Sequence, residues 1–473
     1  MDKDLEARQE ARTLARRAQT AQEALAKYSQ EQLDAICKAV AEAFRDAAGA
    51  LASMAVEETG FGNLKDKETK NRFASVTVWE AIRDMKTVGV LRKLEREKLW
   101  EVAVPVGVIA AIVPSTNPTS TVCYKALIAL KAGNTIVFSP HPKALKCTLK
   151  AAQLVAEAAQ KAGAPEGCVS CLTIPSLDGC RELMQAEPVK LILATGGPAM
   201  VKAAYTSGKP AIGVGAGNGP AYIHSSADVH KAMECILRSK TFDYGTVCAS
   251  EQSIIVERCT EEAVLREGKK LGFAFLCEAE AAKLGKLLFR ENGALNPDIA
   301  GKPAMVLARM AGIQVPDGTK VLVAREREAG PSVPYSREKL CPVLALYVMD
   351  SRQAVLQKVV EVLTHEGSGH TFCIHAGDTG VVAEFARQVP VSRLLVNTPA
   401  ALGGIGSTTG LFPALTLGCG AVGGSSSSDN ISPMNLINIR RVAWGTEEST
   451  PPVQVSGELV ELLTRKIMER LER

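Results

Sequence analysis

The sequence predicts an α/β protein of two doubly wound domains, followed by an amphipathic tail set apart from them. Short apolar runs rich in Val, Ile and Leu alternate with helical patterns from about residue 108 to residue 396, the rhythm of strand–helix–strand units. The run Val108-Ile109-Ala110-Ala111-Ile112-Val113 is apolar throughout, as a parallel strand covered on both faces requires. At 473 residues the chain is long enough for two or three domains with sizeable cores.

The elements follow in order. Residues 3–27 are rich in Ala, Glu, Arg and Gln without Gly or Pro, and read as a helix. Residues 30–59 repeat apolar positions at helical spacing (Leu33, Ile36, Val40, Phe44, Leu51, Met54), and Gly60 and Gly62 close that helix. A further helical pattern covers 64–86. Two strands follow within 99–113. Strands at 135–138, 169–172 and 191–194 then alternate with helices at 143–162, 178–186 and 198–207. After a helical pattern at 227–240, the alternation resumes. Strands are expected at 253–256, 319–324, 342–349, 371–374 and 393–396, with helices at 260–271, 351–363 and 379–387. The join between the two α/β domains is expected near 235–250, giving limits of 1–235 and 236–430. Residues 418–428 are Gly/Ser-rich and read as a loop, 431–444 as strand-like or irregular, and 446–457 as a flexible linker. Beyond it, Leu459, Leu463, Ile467 and Leu471 form one helical stripe, widened by Val460 and Leu462 and opposed by charged residues.

Fifty-five basic against 51 acidic residues leave a formal net charge of +4, too balanced for nucleic-acid or membrane binding as the main role. The apolar runs are too short to span a bilayer. Cys168 and Cys171 have a metal-type spacing but no second pair or nearby His, so no metal is expected. Thirteen cysteines without a recognisable signal peptide point to a reducing, cytoplasmic setting.

Seven places carry residue types suited to chemistry. Cys248 sits in the turn-prone stretch Phe242–Gln252, where a nucleophilic thiol would stand at the lip of a cleft; free cysteines are also common core residues. Asn117 lies in Pro114-Ser115-Thr116-Asn117-Pro118 at the carboxyl end of a strand, placed as a rigid oxyanion donor or as a turn residue. Thr195-Gly196-Gly197-Pro198 and Gly213-Val214-Gly215-Ala216-Gly217-Asn218-Gly219-Pro220 are glycine-dense, although neither is the usual dinucleotide fingerprint. Ser139-Pro140-His141-Pro142 forms a stiff wall suited to an adenine, or a plain turn. His370, between glycines, and Glu338, before Leu340-Cys341-Pro342, are polar side chains just ahead of strands; Glu338 would bond a ribose or be solvated.

Taken together and in this order, these motifs resemble the aldehyde dehydrogenase superfamily over roughly residues 5–445, and within it the CoA-acylating branch, including propionaldehyde dehydrogenases of bacterial microcompartments. The resemblance implies that Cys248 is the nucleophile and that Asn117 and the Cys248 backbone N–H form the oxyanion hole. It implies that Glu338 holds the nicotinamide-side ribose and that Thr195, Gly196 and Gly197 line the nicotinamide end. Pro114, Ser115, Thr116, Ser139, Pro140, His141, Pro142, Gly213, Val214, Gly215 and Leu340 complete the implied cofactor site, for NAD ahead of NADP. Hydrolytic members carry a Glu that activates water; the matching stretch, Ile212 to Asn218, holds no carboxylate. An acyl thioester there is expected to await a thiol, coenzyme A, and His370 is expected to position or deprotonate a reactant.

The same resemblance implies a short-chain aldehyde substrate, propionaldehyde first and acetaldehyde next. It implies a dinucleotide-binding domain at 1–235, a thiol domain at 236–430, and a dimer or tetramer formed through a hairpin at 97–107 with 431–445. The helix at 457–473 would dock on a microcompartment shell or cargo protein, placing the enzyme inside that compartment. Two rivals stand beside this reading: a non-catalytic cargo protein, and a phosphorylating or hydrolytic dehydrogenase.

Overall fold

A computed structural model describes residues 2–446 and 457–471. Its first helix, Lys3–Leu25, buries Ala7, Ala11, Ala15 and Ala18, a stripe of methyl groups at i, i+4 spacing. Side chains this small let a helix lie close against a sheet. The helical pattern at 30–59 is two helices, Gln30–Asp46 and Ala48–Thr59, parted at Ala47, which leaves the helical region at φ −90°, ψ 2°. Gly60 ends the second at φ 66°. The pattern at 64–86 is also broken. Leu64–Arg72 passes into a π-turn at Phe73–Thr77 and a short helix at Val78–Ile82. The wide turn resets the helical phase, so one segment buries Lys67, Lys70 and Asn71 and the next buries Phe73, Ala74 and Ser75.

The strands, in chain order, are β1 Gly89–Leu94 and β2 Leu99–Pro105; β3 Val108–Ile112, β4 Ile136–Ser139, β5 Val169–Cys171, β6 Val189–Thr195 and β7 Ala211–Val214; β8 Pro220–Ile223, β9 Ser253–Glu257, β10 Phe273–Leu276, β11 Val321–Arg325, β12 Val343–Met349, β13 Gly369–His375 and β14 Val391–Val396; and β15 Ile437–Ala443. A parallel sheet in the order β5-β4-β3-β6-β7 forms the first lobe. A second parallel sheet, β10-β11-β12-β9-β8-β13-β14, forms the other. The small antiparallel sheet β1-β2-β15 joins residue 437 opposite 105 through 443 opposite 99. Segment 431–444 is thus ordered, as a 3₁₀ turn at Pro433–Leu436 and then a strand.

The chain leaves the first sheet after Val214 and enters the second at Pro220, ahead of the expected join near 235–250. Strands β7 and β8 are four residues each and are separated by a glycine-rich loop, too short to show a periodicity in sequence. Helix Val229–Thr241, placed with the first domain by the 1–235 limit, packs with the second sheet's core. The linker expected at 446–457 falls almost wholly outside the described residues. Helix Gly457–Leu471 is present, with Leu459, Leu463, Ile467 and Leu471 exposed. Among the described residues, no helix is long and apolar enough to cross a membrane.

In the first sheet, the strand order reverses between β3 and β6, opening a crevice outside their carboxyl ends. Helix Pro118–Lys131 is buried along its whole length beneath that point. From it Lys125 donates from Nζ to the carbonyls of Ile112 (2.8 Å) and Leu193 (2.9 Å), one near the end of each strand. Burial lowers the pKa of this ammonium to about 7. An unfolded lysine titrates near about 10.4, so between these values the unfolded chain binds a proton that the folded chain does not, and stability rises with pH. Between pH 7 and 9 the unfolding free energy of the native protein should therefore rise relative to that of Lys125→Met, by up to about 1.4 kcal/mol per pH unit. Paired denaturant titrations at the two pH values measure the difference.

Candidate active site

The crevice at the ends of β3 and β6 deepens into a cavity of about 250 Å³. Pro114, Ser115, Thr116 and Asn117 reach it from the turn after β3, and Thr195, Gly196 and Gly197 from the turn after β6. Val214 and Gly215 wall it from the crossing between lobes. Cys248, Glu338 and Leu340 come from loops that precede β9 and β12 of the second sheet. The site is therefore built from carboxyl ends of one sheet and amino ends of the other. A larger opening of about 1230 Å³, beside helix 229–241, holds none of these groups.

The turn bearing Cys248 is unusual in its backbone. Asp243, Tyr244 and Gly245 all have positive φ (48°, 52° and 78°), a costly sequence for two non-glycine residues. Buried contacts hold it there. The Asp243 carboxylate accepts from Lys67 Nζ (2.9 Å), Lys70 Nζ (2.6 Å), the Thr246 hydroxyl (2.7 Å) and the Asn63 N–H (2.9 Å). These donors keep it ionised and hold its pKa down against the opposing effect of burial. On the other side, Gly217 lies so close that a Cβ would stand 1.8 Å from the Cys248 carbonyl oxygen. The Cys248 thiol is partly exposed to the cavity. Burial, and then the neighbouring Glu338, push its pKa up to about 12, with the Arg393 charge opposing them.

Asn117 is the residue before helix 118–131, with Pro118 at the first helical position. Its Oδ1 accepts from Lys70 Nζ at 2.6 Å. Its Nδ2 donates to the Thr116 hydroxyl at 3.2 Å and, weakly, to the Thr246 carbonyl at 3.3 Å. Glu338 accepts from the Gly217 N–H at 3.0 Å, so a carboxylate leans on the very stretch, 212–218, that has none of its own. Burial and then Glu366 raise its pKa to about 8. Leu340, at the cavity wall, has φ 47°, a third non-glycine residue held left-handed after Asp243 and Tyr244.

The other residues expected around a cofactor divide between the cavity wall and the packing behind it. The Thr195 hydroxyl is buried and has no protein partner. A Cβ built on Gly197 or Gly215 meets nothing within 4 Å, so both glycines open onto free space rather than packing. His141 reaches the wall, while Ser139 and Pro140 are buried behind it and Pro142 is exposed beside it. Gly213 faces away: its Cβ would meet Val201 at 2.6 Å and the Tyr205 ring at 2.8 Å, so it is a packing position under helix Pro198–Tyr205. His370, at the start of β13, is buried and stands outside the cavity wall. Its Nδ1 shares a hydrogen with the Thr371 hydroxyl (2.9 Å) and its Nε2 has no partner. Burial and the Arg393 charge lower its pKa to about 3, so the ring is neutral.

Sequence reasoning overlooked Lys67, Lys70 and Asp243. The available signal was Asn63, Asp66, Lys67 and Lys70 at helical spacing on a helix with almost no apolar residue, which leaves its buried face to be polar.

A thiol and an amide donor lining one cavity, at the switch point of a doubly wound sheet, make this a thiol-bearing α/β site. The chain belongs to the aldehyde dehydrogenase family, which matches residues 4–272. Similar solved structures include a probable aldehyde dehydrogenase from Listeria monocytogenes (56% identity, TM-score 0.94, covering 95% of this chain and 99% of that one). An acetylating aldehyde dehydrogenase from Geobacillus thermoglucosidasius follows at 49% identity and TM-score 0.93, covering 95% and 100%. A propionaldehyde dehydrogenase from the Clostridium phytofermentans fucose-utilisation microcompartment is at 29% and 0.83, covering 92% and 98%. The bifunctional aldehyde-alcohol dehydrogenase of Escherichia coli K12 is 44% identical over 93% of this chain, and the chain spans about half the length of that relative (50%).

Gly217→Ala should displace the turn that bears Cys248. With a backbone contact of 1.8 Å to relieve, turnover should fall at least about 100-fold while the far-ultraviolet circular dichroism is unchanged.

Proposed function

We propose that the chain is a CoA-acylating aldehyde dehydrogenase acting on a short-chain aldehyde. One observation carries the reading: Cys248 shares its cavity with the Asn117 amide, and the stretch against its backbone, 212–218, offers no side-chain carboxylate to activate water. The Cys248 thiol gives up its proton to solvent as its sulfur attacks the aldehyde carbon, and the Asn117 Nδ2–H with the Cys248 N–H stabilises the oxygen as it becomes an oxyanion. A nicotinamide dinucleotide, NAD ahead of NADP, supplies the acceptor for the hydride that leaves the hemithioacetal. Thr195, Gly196, Gly197 and Glu338 orient it, and Pro114, Ser115, Thr116, Val214, Gly215, Leu340 and His141 shape its site. Loss of hydride leaves a thioester on Cys248. The sulfur of coenzyme A then attacks the acyl carbon, and the Cys248 thiolate leaves. The coenzyme A thiol gives its proton to solvent; His370, buried outside the cavity wall and neutral, is proposed only to help position a reactant from behind that wall. All steps are reversible.

The substrate order proposed here is two-carbon before three-carbon aldehydes, the reverse of the sequence-based expectation. The acetylating Geobacillus structure, at 49% identity, is nearer than the propionaldehyde dehydrogenase at 29%. Cys248→Ala should abolish reduction of the dinucleotide without altering the fold. With native protein, continued turnover should require coenzyme A; sustained turnover with phosphate or water alone would sink the acylating reading.

We also propose that β1-β2-β15 meets a second copy of the chain in a dimer or tetramer, and that helix 457–471 docks on a microcompartment shell or cargo protein. The second proposal rests on an exposed apolar stripe and on the microcompartment source of one relative. Deleting 457–473 should leave turnover unchanged and end co-sedimentation with shell protein; loss of turnover would assign the helix to the enzyme's own assembly.

A further inference from the structure

Lys70 is buried on a helix that is polar almost throughout, and it lines the cavity. An ammonium has three N–H donors and no acceptor. All three are engaged: Asn117 Oδ1 at 2.6 Å, Asp243 Oδ2 at 2.6 Å and the Thr246 hydroxyl at 2.9 Å. None is left for an anionic group on a substrate, which argues against Lys70 as a carboxylate receptor. The consequence for Asn117 is directional. A primary amide rotated by half a turn would set its NH₂ against the ammonium, two donor groups in contact, so only one orientation is tolerated. In that orientation the N–H groups point away from Lys70.

We propose that Lys70 is a positioning residue for catalysis: it locks the Asn117 amide with its N–H groups on the side of Thr116 and of the Thr246 carbonyl, two residues before Cys248, and polarises them so that the one held weakly by Thr246 turns to the developing oxyanion. The inference rests on Asn117 being the oxyanion donor. A charge-assisted bond to the amide oxygen draws electron density from the amide nitrogen, which strengthens its N–H groups. Asp243 makes the arrangement sustainable, because it neutralises a buried ammonium whose pKa burial lowers to about 8. Lys67, also on Asp243 and donating to the Thr116 carbonyl at 2.8 Å, braces the residue before Asn117 in the same way.

The test is a double-mutant cycle on the full chain, read as aldehyde-dependent reduction of NAD in the presence of coenzyme A. Asn117→Ala should lower kcat by about 100- to 1000-fold, the usual cost of an oxyanion donor. Lys70→Met should lower kcat by about 10- to 100-fold with little change in KM, since the lost interaction matters in the transition state. In the Asn117→Ala background the same substitution should cost less than about threefold, because its effect passes through the missing amide. Iodoacetamide alkylation of Cys248, followed by peptide mass spectrometry, forms no oxyanion and should change by less than about twofold in Lys70→Met. Should that variant not fold, Lys70→Gln, which keeps two N–H donors, carries the same cycle. Equal losses in both backgrounds, or a parallel loss of alkylation, would make Lys70 a structural residue only. Native turnover in Lys70→Met would overturn the proposal outright. Native turnover in Asn117→Ala would instead remove the oxyanion assignment beneath it.

Discussion

The buried carboxylate of Asp243 is the interaction on which the site depends. It gathers Lys67 and Lys70 from helix 64–72 and the Asn63 N–H from its cap, and it sits in the turn that carries Cys248. Lys67 and Lys70 in turn hold Thr116 and Asn117 at the end of β3. Three segments far apart in sequence thus meet on one ion cluster. A buried charge with so many donors is a weak source of net stability, because desolvation offsets most of the attraction. What it provides is geometry: removing Asp243 would leave two buried ammonium groups without their counter-charge, so the left-handed residues of the turn that bears Cys248 have little freedom to relax.

That geometry is set across the cleft between two sheets of opposite presentation. The first offers the carboxyl ends of its strands, where a doubly wound sheet opens a crevice. The second offers the loops leading into β9 and β12. Gly217, Gly245 and Gly62 stand where the segments cross, each so close to a neighbour that a Cβ would meet it at 3.0 Å or less. At Gly62 that neighbour is Asp243 itself, at 1.8 Å, with φ 74°.

The long, strongly patterned elements were legible in the sequence. Helix 3–25, strand β12 and the strands bearing Pro114–Asn117 and Thr195–Gly197 fall where periodicity put them, because burial imposes that periodicity directly. Cys248, Asn117 and Glu338 were legible as side chains at strand ends, and they share one cavity. The passage between lobes was not legible. Two four-residue strands around a glycine loop carry almost no pattern, and strand pairing over such distances is a tertiary outcome. Gly213 and Gly215 show the same limit: two glycines one residue apart read alike, yet one packs under a helix and the other opens onto the cavity. The polar cluster under helix 64–72 was hidden because charged residues read as solvated unless their partners are known.

The pairing of β15 with β2 has a further consequence for the history of the chain. The amide of Asn134 donates to the Leu436 carbonyl, Tyr124 donates to the carbonyl of Ile431, and Ser425 and Ser426 cap the carbonyls of Gly213 and Ala211. The lobe that is synthesised first is therefore finished by residues made about two hundred to three hundred positions later. Until residues 425–443 arrive, the edges at β2 and β7 lack part of their covering, and contacts spanning about three hundred residues must close late and slowly. The second lobe draws on the same stretch, since Arg393 of β14 donates to the carbonyls of Gly418 and Ser428 and to the Asn430 side chain. Residues 418–443 thus close both halves of the molecule after the strands of their sheets have been made.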